Sequence, residues 1–522
     1  TAALDRSTAN VLEKSPASTD MYAYPHYVEY AISDVVDTFL DLNGLEDTSA
    51  NRYAMENKLR TGGYSVYLCL DTEIQEIVED TLANWSNYPR LRDPSDKVYQ
   101  SRNSDGTYTE IEQPQAAACV FDYRTGELKA IVGGRGEKTA SLTFNRATDN
   151  YSQPGSTFKI LSAYGPALDL GKITLATVIK DEPFNYSDGT PLQNADLTYH
   201  GDVTVRQAII NSINIPAVKV LTEITPKAGF DYLKKLGFTK LSEESDVIQP
   251  LALGGITYGV SDLELTAAYA AIANGGQYRK PVFYTKVTDS KGNVLIDYTE
   301  AKATQVFKAS TASLLTSAME DVVEKGTGIA CRLDNMHAAG KTGTTNEAKD
   351  LVFAGFTPYY TAAIWAVYDT HAEFPESDRE FHKRLWAKVM NEIHEGLADM
   401  DFETSATVQE ATICTKTGLL ARSSCPSITE YFAVSDLPTE RCKGHYTPPA
   451  STPAPTKTPS AVPTPQATPT PTEAPQETPV PTETPQEPPV DTPENPDTPE
   501  HSDTPAGIDP SSDSCEDTEH FH

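Results

Sequence analysis

The segment Gln153-Pro-Gly-Ser-Thr-Phe-Lys159 is the part of the sequence from which the fold can be inferred. Pro-Gly followed by Ser is typical of a helix start, so Ser156 is predicted at a helix N-terminus, where the dipole stabilises developing negative charge. Lys159 follows one turn later on the same face, within reach of the Ser156 hydroxyl. A lysine can activate a serine only if desolvation or a neighbouring cation lowers the lysine pKa. Taken alone, the pair is a weak signal, since a capped helix with a surface lysine has the same pattern.

A second short segment, Ser212-Ile-Asn214, places a hydroxyl and an amide two residues apart. On a loop, both groups could point into one cleft, where Ser212 would relay a proton and Asn214 would bind a substrate amide. By itself this segment is weaker evidence, because Ser and Asn are common turn and cap residues.

A third segment, Ala339-Gly-Lys-Thr-Gly-Thr-Thr-Asn346, reads as an edge strand. The small Gly343 lets a substrate backbone lie alongside such a strand. Lys341 supplies a cation, and the hydroxyls of Thr342 and Thr344 suit a carboxylate. The alternative is an ordinary strand with a surface lysine. A second Lys-Thr-Gly, at 416–418, is followed by two leucines instead of hydroxyl residues and is interpreted as structural.

Around these segments the apolar pattern predicts an α+β fold, a mainly antiparallel sheet flanked by helices. Strands at both ends of the body with helices between them favour this arrangement. Strands are predicted at 66–70, 116–121, 128–132, 282–287, 294–298, 351–356 and 362–368. Helices are predicted at 26–42, 72–85, 156 to about 236, 261–273 and 374 to about 397.

The three segments in this order are the serine acyltransferase set found in penicillin-binding proteins and β-lactamases. The chain resembles the transpeptidase part of a class A (bifunctional) penicillin-binding protein from about Tyr24 to His445. Further matching context is Phe144-Asn-Arg-Ala-Thr, Ala252-Leu-Gly-Gly-Ile-Thr-Tyr-Gly, Gly326-Thr-Gly and Gly355-Phe-Thr-Pro. The resemblance implies the penicillin-binding-protein/β-lactamase-like transpeptidase fold. It divides the chain into a linker remnant at 1–65, the transpeptidase domain at 66–400, a small Cys-containing module at 401–446 and a tail at 447–522.

The resemblance also implies a mechanism for peptidoglycan D,D-transpeptidation. Ser156 would attack the penultimate D-Ala carbonyl of a stem peptide, with Lys159 as base and Ser212 passing the proton to the leaving D-Ala. Asn214 would bind the stem amide, and the strand residues Lys341, Thr342, Gly343 and Thr344 would hold the terminal carboxylate. The backbone N–H groups of Ser156 and Thr344 would form the oxyanion hole. β-Lactams would acylate the same serine, and neither a cofactor nor a metal would be required.

Two departures from the family pattern stand out. The family usually has Asp-x-Trp-Phe after its Lys-Thr-Gly strand, whereas this chain has Asp350-Leu-Val-Phe353, which puts the local packing in question. No glycosyltransferase signature precedes residue 60, and the chain starts at Thr1 without a methionine or a signal segment. We therefore expect a fragment of an extracytoplasmic cell-envelope protein, whose membrane anchor lies in a missing N-terminal part.

Six of the seven cysteines fall into two groups, and Cys515 lies alone in the acidic tail, where it could pair between chains. Cys69 and Cys119 lie in apolar runs and are predicted to be core residues, while Cys331 follows a Gly-rich segment and is ambiguous. A C-terminal group consists of Cys414, Cys425, Cys442 and His445. A Cys425–Cys442 disulfide is the favoured interpretation and would indicate an oxidising compartment. A zinc site is conceivable, but intervals of ten and sixteen residues between the cysteines lack the usual paired short knuckles.

Charge and composition exclude one class of function and separate the tail from the body. The chain has 42 basic and 74 acidic side chains, a net charge of −32, which argues against a nucleic-acid-binding body. Residues 447–522 contain 20 of the 37 prolines, 14 acids and one base, Lys457. This composition predicts a disordered, extended spacer, and a tail that threads the wall or engages a partner is the alternative.

Two other functions compete with the transpeptidase. A D,D-carboxypeptidase, β-lactamase or β-lactam sensor would share the serine acyl-enzyme and differ in how fast that ester breaks down. A non-catalytic wall-binding scaffold would retain the fold around a relic site, and the intact set of three segments argues against it.

Overall fold

A computed structural model describes residues 22–89, 98–102, 108–138, 141–299 and 302–445. Its α-helices are α1 Pro25–Leu42, α2 Ser49–Thr61, α3 Thr72–Asn84, α4 Gly165–Asp169, α5 Val205–Ile210, α6 Asn214–Ile224, α7 Pro226–Lys235, α8 Glu243–Asp246, α9 Asp262–Ala273, α10 Ala309–Lys325 and α11 Phe381–Ile393. The predictions for the tail, with Lys457 and Cys515, lie outside the described residues. None of the helices in the described ranges is long and apolar enough to cross a membrane.

The strands form one central sheet and several small ones. They are β1 Ser65–Leu68, β2 Val98–Arg102, β3 Tyr108–Glu112, β4 Gln115–Asp122, β5 Glu127–Val132, β6 Val178–Asp181, β7 Phe184–Asn185, β8 Pro191–Leu192, β9 Gly201–Thr204, β10 Gln277–Arg279, β11 Tyr284–Thr288, β12 Val294–Asp297, β13 Ala303–Gln305, β14 Ala339–Thr344, β15 Asp350–Phe356, β16 Thr361–Val367, β17 Val408–Cys414 and β18 Ser427–Ala433. The central sheet has the order β14-β15-β16-β4-β5. All of its pairs are antiparallel, so the predicted α+β fold with a mainly antiparallel sheet is confirmed.

Both faces of the central sheet are covered, which explains its unbroken apolar runs. Along β15, Phe353 packs in the core with α3 and α11, whereas Val352 and Ala354 pack in the core with the helices on the other side. Successive side chains of a strand point to opposite faces, so a strand buried on both faces must be apolar throughout. This arrangement leaves β14 as an edge strand of the central sheet.

The helical half of the body, between β5 and β14, is less uniform than the apolar periodicity of the sequence predicts. The predicted helix at 261–273 is α9, and its start carries a capping box between Ser261 and Glu264. The helices predicted to dominate from 156 to about 236 are present, but the prediction is wrong over 178–204, where the four short strands β6–β9 intervene. A buried Asp181 accepts hydrogen bonds from Asn194 and from the His200 backbone there, and such side-chain-to-backbone bonds compete with a helix.

Two helices precede β1, in the part of the chain expected to be a linker remnant. The predicted helix at 26–42 is α1, whose apolar face packs on the sheet. Helix α2 was not predicted, because Leu59 is its single buried residue and its surface is otherwise polar. Its N-terminus is capped by Thr48, whose hydroxyl accepts a hydrogen bond from the Asn51 N–H over 3.2 Å. The domain boundaries at 65, 400 and 446 stay a prediction.

The C-terminal hairpin of β17 and β18 is fastened to the helical half by a buried ion pair. Arg206, at the start of α5, donates to both oxygens of Glu430 on β18 over 2.7–3.0 Å. Its remaining N–H groups reach Asp321 and the Ser317 carbonyl on α10. The Glu430 side chain is fully buried, so this charge depends on its partner for stability.

The cysteines of the first group are core residues. Cys69, Cys119 and Cys331 are all buried, which confirms the prediction for the first two and resolves the third. The predicted Cys425–Cys442 disulfide is wrong, because all six cysteines among the described residues are free thiols. The physical reason is local: Cys425 and Cys442 belong to one cluster that also contains Cys414 and His445.

Candidate active site

Ser156 lies where the chain turns from a loop into the first helix of the helical half. Gly155–Thr157 form one turn of 3₁₀ helix, Lys159–Tyr164 widen into a π-helical turn, and α4 continues from there. The predicted helix start is therefore present, with a different backbone pitch. Gly155 has a φ of +56°, and a Cβ at this position would lie 2.5 Å from the carbonyl oxygen of Thr344. This close approach brings the serine turn against the edge strand β14.

The Lys159 amine is completely buried and points at the second segment. Its Nζ donates to Asn214 Oδ1 over 2.7 Å, to Ser212 Oγ over 3.2 Å and to the Ser212 carbonyl. Burial, and then the positive charge of Lys341, lower the pKa of Lys159 well below its usual range. A lysine in this environment can hold the neutral form that a general base requires.

Ser212 connects the two lysines. Its hydroxyl accepts a hydrogen bond from Lys341 Nζ over 2.8 Å and another from Lys159 Nζ over 3.2 Å. The residue has a φ of +54°, an uncommon conformation for a residue with a side chain. Such strain persists where the surroundings impose it, and here it orients a hydroxyl between two amines.

Lys341 is the second buried amine. Burial, and then the nearby cation of Lys383, lower the pKa of Lys341 to about 7. Lys383 lies on α11 and donates to the Thr327 carbonyl and to Glu380. A pKa near neutrality leaves Lys341 able to switch between a cation and a neutral amine as its surroundings change.

Asn214 is placed by residues that the sequence did not single out. It is the first residue of α6, and its Nδ2 donates to the Gln193 carbonyl over 2.9 Å. Its backbone N–H donates to Asn194 Oδ1 over 3.0 Å, and Asn194 in turn donates to the buried Asp181. No sequence pattern marks Asn194, because its role depends on a loop that crosses the start of α6.

The remaining predicted residues lie along β14, at the edge of the sheet. Thr342 Oγ1 is 2.9 Å from Thr327 Oγ1, and Thr344 is exposed at the end of the strand. Gly343 faces the serine turn, because a Cβ there would lie 2.5 Å from the Pro154 carbonyl and collide with Val352. The structure therefore brings the serine turn, the Ser212 loop and β14 together, with all eight predicted site residues on these three segments.

The position of the missing tryptophan, Val352, lies beside another indole. Trp365 on β16 lies directly opposite Val352 on β15, the position where the family usually has its tryptophan. Trp365 is buried, and its indole N–H donates to Asp350 Oδ1 over 3.0 Å. The Trp365 indole of β16 therefore packs beside Val352 of β15.

The second Lys-Thr-Gly is not part of the candidate active site. Lys416, Thr417 and Gly418 lie in the loop between β17 and β18, which begins after Cys414. Gly418 has a φ of +70° and closes the turn with a hydrogen bond from its N–H to the Cys414 carbonyl. Three identical letters thus form an edge strand in one place and a tight turn in the other, because the residues around them differ.

Two family models match the chain. The penicillin binding protein transpeptidase domain matches residues 116–394, and the C-terminal domain of penicillin-binding protein 1A matches residues 405–447. Penicillin-binding protein 1A of Clostridium tetani is 34% identical over 408 residues, which cover 74% of this chain and 50% of the relative. Penicillin-binding protein 4 of Bacillus subtilis is 32% identical over 359 residues, 66% of this chain and 53% of the relative. The chain spans about half the length of the curated relatives it matches.

Solved structures agree in fold. Penicillin-binding protein 1A from Haemophilus influenzae superimposes with a TM-score of 0.59 at 19% identity, over 78% of this chain and 82% of that one. PonA1 from Mycobacterium tuberculosis in complex with penicillin V superimposes with a TM-score of 0.59 at 22% identity, over 73% of this chain and 96% of that one. At these identities the likeness establishes the fold, and the chemistry has to be argued from the residues of this chain.

Proposed function

Since this chain belongs to the penicillin-binding protein transpeptidase family, we propose that it acts as a peptidoglycan D,D-transpeptidase through a serine acyl-enzyme at Ser156. The observation that carries the proposal is the shared hydroxyl of Ser212, which lies within hydrogen-bond distance of the amines of Lys159 and Lys341. An amine whose pKa is lowered by burial, a relay hydroxyl and a second amine suited to a carboxylate are the parts that acyl transfer from a D-Ala-ended peptide needs.

In the acylation step, Ser156 Oγ attacks the carbonyl carbon of the penultimate D-Ala. Neutral Lys159 takes the hydroxyl proton, and the tetrahedral oxyanion is held by the backbone N–H groups of Ser156 and Thr344. Each such donor contributes about 3 kcal/mol to the transition state. The bond to the terminal D-Ala nitrogen then breaks, and the proton returns through Ser212 to the leaving amine.

In the second step, an amine from a neighbouring stem peptide attacks the ester carbonyl and loses a proton to the same base, which passes it to Ser156 Oγ as the ester bond breaks. The new amide is the cross-link. Lys341, Thr342 and Thr344 hold the terminal carboxylate of the donor peptide, Gly343 lets β14 lie against the serine turn, and Asn214 binds the stem amide. β-Lactams place their strained amide where the D-Ala–D-Ala bond lies and acylate Ser156. The setting of this reaction is the cell envelope.

The test is labelling with a fluorescent penicillin. Wild type is expected to retain the label after denaturation, and Ser156→Ala is expected to lose it, because the covalent bond forms at that hydroxyl. Ser187→Ala, at an exposed serine in the helical half, is the matched control and keeps full labelling. Label on the Ser156→Ala protein would show that the nucleophile is a different residue.

The lifetime of the adduct separates the alternatives. A transpeptidase without its acceptor amine keeps the penicilloyl ester for a long time, whereas a β-lactamase hydrolyses it within the assay. Rapid turnover of penicillin would therefore contradict the transpeptidase and support the β-lactamase alternative. Release of D-Ala from a stem pentapeptide with no dimer formed in the presence of acceptor would support the carboxypeptidase.

A further inference from the structure

A second cluster of reactive side chains lies in the C-terminal hairpin, apart from the residues proposed for acyl transfer. Cys414, Cys425, Cys442 and His445 each offer one donor atom, and these four atoms lie within 4.8 Å of one another. We propose that the cluster is a structural zinc site with three thiolate ligands and one imidazole ligand. The mechanism of acyl transfer uses none of the four residues.

The distances within the cluster, from 3.0 Å up to 4.8 Å, lie on both sides of the ligand separations of an occupied zinc site. A tetrahedral zinc with Zn–S of about 2.3 Å and Zn–N of about 2.0 Å has ligand-to-ligand separations of roughly 3.5–3.8 Å. His445 Nε2 lies 3.0 Å from Cys414 Sγ and 3.5 Å from Cys442 Sγ. Shifts of about an ångström or less in the side chains would bring all four donors to bonding distance of one ion.

The hairpin explains how residues so far apart in sequence meet. Cys414 ends β17 and pairs with Ser427, the first residue of β18, so Cys425 lies just beyond the same end of the hairpin. The Cys442 N–H donates to the Leu420 carbonyl over 2.9 Å, which adds the last segment of the described chain beside the hairpin loop. His445 follows Cys442 after two residues, a short interval typical of zinc ligands.

The backbone around the sulfur atoms is arranged for thiolates. The Arg422 N–H donates to Cys425 Sγ over 3.4 Å, and the Gly444 N–H donates to Cys442 Sγ over 3.4 Å. Hydrogen bonds to coordinating atoms orient metal ligands and stabilise their charge. Gly444 can donate in this way because its φ is +93°, a conformation that glycine adopts without strain.

Apart from its contacts with the body, the module has only a small apolar cluster of its own. Among the described residues, its buried apolar cluster consists of Ile413 and Phe432 with Ala176 from the body. Units of about 40 residues usually need a disulfide, a metal or a partner for stability, because they bury too little apolar surface. The six described cysteines are free, which leaves a metal as the device that the side chains of this module can build.

The ligand set indicates a structural role. Three thiolates and one imidazole complete a tetrahedral zinc, so no position stays open for water or substrate. Binding releases the protons of the three thiols, and the ion links the hairpin loop to the segment that contains Cys442 and His445. Cys414 and Cys442 are buried, whereas Cys425 and His445 are partly exposed and provide the path by which an ion enters.

The test measures metal in the full chain of 522 residues, purified without chelator and dialysed against zinc and then buffer. We expect about one zinc per chain by elemental analysis. Cys414→Ser and His445→Gln are expected to reduce this to less than about a tenth. Cys515→Ser, which changes a cysteine outside the cluster, is the matched control and retains the full zinc content.

A ligand exchange separates metal binding from a merely structural role for the side chains. Cys425→His keeps a zinc donor and is expected to retain zinc, whereas Cys425→Ser loses it. Replacing zinc by Co²⁺ should give the intense visible absorption of a tetrahedral site with sulfur-to-metal charge transfer. Because Cys425 is partly exposed, both substitutions leave the core unchanged, and circular dichroism verifies that the variants are folded.

Two results would overturn the proposal. One is a wild-type chain that holds less than about a tenth of an equivalent of zinc after dialysis. The other is a wild-type chain, purified without chelator, that holds no metal and in which alkylation shows that two of the cluster cysteines form a disulfide. Zinc content is measured without any acylation, so a chain without zinc would contradict the zinc site and leave the proposed transpeptidase standing. Loss of penicillin labelling would leave the zinc site standing.

Discussion

The acyl-transfer cleft and the C-terminal hairpin both collect reactive side chains from separate parts of the sequence, but they are held in opposite ways. In the cleft, Lys159 and Lys341 are fully buried between the sheet edge and a large apolar core. In the hairpin, the separate apolar cluster is small, and the ion pair of Glu430 and the cysteine cluster add specific polar contacts. Packing therefore sets the chemistry of the cleft, whereas specific polar bonds set the structure of the hairpin.

The largest effect is expected from Lys159→Met, which replaces the buried amine by an apolar side chain of similar length. Loss of a general base lowers acylation by roughly 10²–10⁴-fold, while the apolar surroundings keep the protein folded. Stopped-flow acylation with a chromogenic β-lactam measures the rate. Lys416→Met, in the second Lys-Thr-Gly, is the control and leaves the rate unchanged. An unchanged acylation rate in Lys159→Met would show that the buried Lys159 amine is not the general base.

The next largest effect concerns the attachment of the hairpin. Arg206→Met leaves Glu430 buried without its cation, and breaking a buried ion pair in this way costs about 3–5 kcal/mol. Urea unfolding measures the loss. The double variant Arg206→Met/Glu430→Leu should recover most of it, because no unpaired charge remains. Lys227→Met removes an exposed pair with Asp231 and should change the free energy of unfolding by less than about 1 kcal/mol. Equal losses of unfolding free energy in Arg206→Met and Lys227→Met would show that the buried ion pair stabilises the protein no more than the exposed one.

A pH profile sharpens the role of burial in the cleft. The pKa of Lys341 is lowered to about 7, so its charged form is lost as the pH rises through neutrality. The kcat/KM for a D-Ala-D-Ala peptide is therefore expected to fall above about pH 7, by up to about tenfold per unit. Lys341→Arg keeps its charge, so its alkaline limb should move to higher pH. An alkaline limb at the same pH in both proteins would assign it to another group.

The smallest effect is expected at Trp365, the tryptophan opposite Val352. Trp365→Phe keeps an aromatic ring but removes the hydrogen bond to Asp350, a buried carboxylate, at a cost of about 1–3 kcal/mol. Thermal unfolding measures it. Trp85→Phe is the control, because its indole nitrogen has no hydrogen-bond partner among the described residues. A larger loss in the control would mean that ring size, and not the bond to Asp350, stabilises this region.

Much of the site could be predicted from sequence because the residues proposed for its chemistry lie in short segments. Ser156 with Lys159, Ser212 with Asn214, and Lys341 with its threonines are recognisable from residue type and order alone. Asn194, Thr327 and Lys383 were missed, since each acts through a contact with a residue far away in the chain. The hairpin was harder still: the interval between Cys442 and His445 is a short metal-type pair, but Cys414 and Cys425 join it only through strand pairing.

The sequence by itself determined the order of the strands and helices at the ends of the body, the family and the residue types available for acyl transfer. These follow from local patterns, because apolar periodicity and short motifs depend on neighbours in the chain. Only the tertiary structure decided that both lysines are buried, that Ser212 lies between their amines, and that three thiols and an imidazole share one space. The pKa of a lysine and the geometry of a metal site depend on what surrounds a group in space, and packing alone supplies those surroundings.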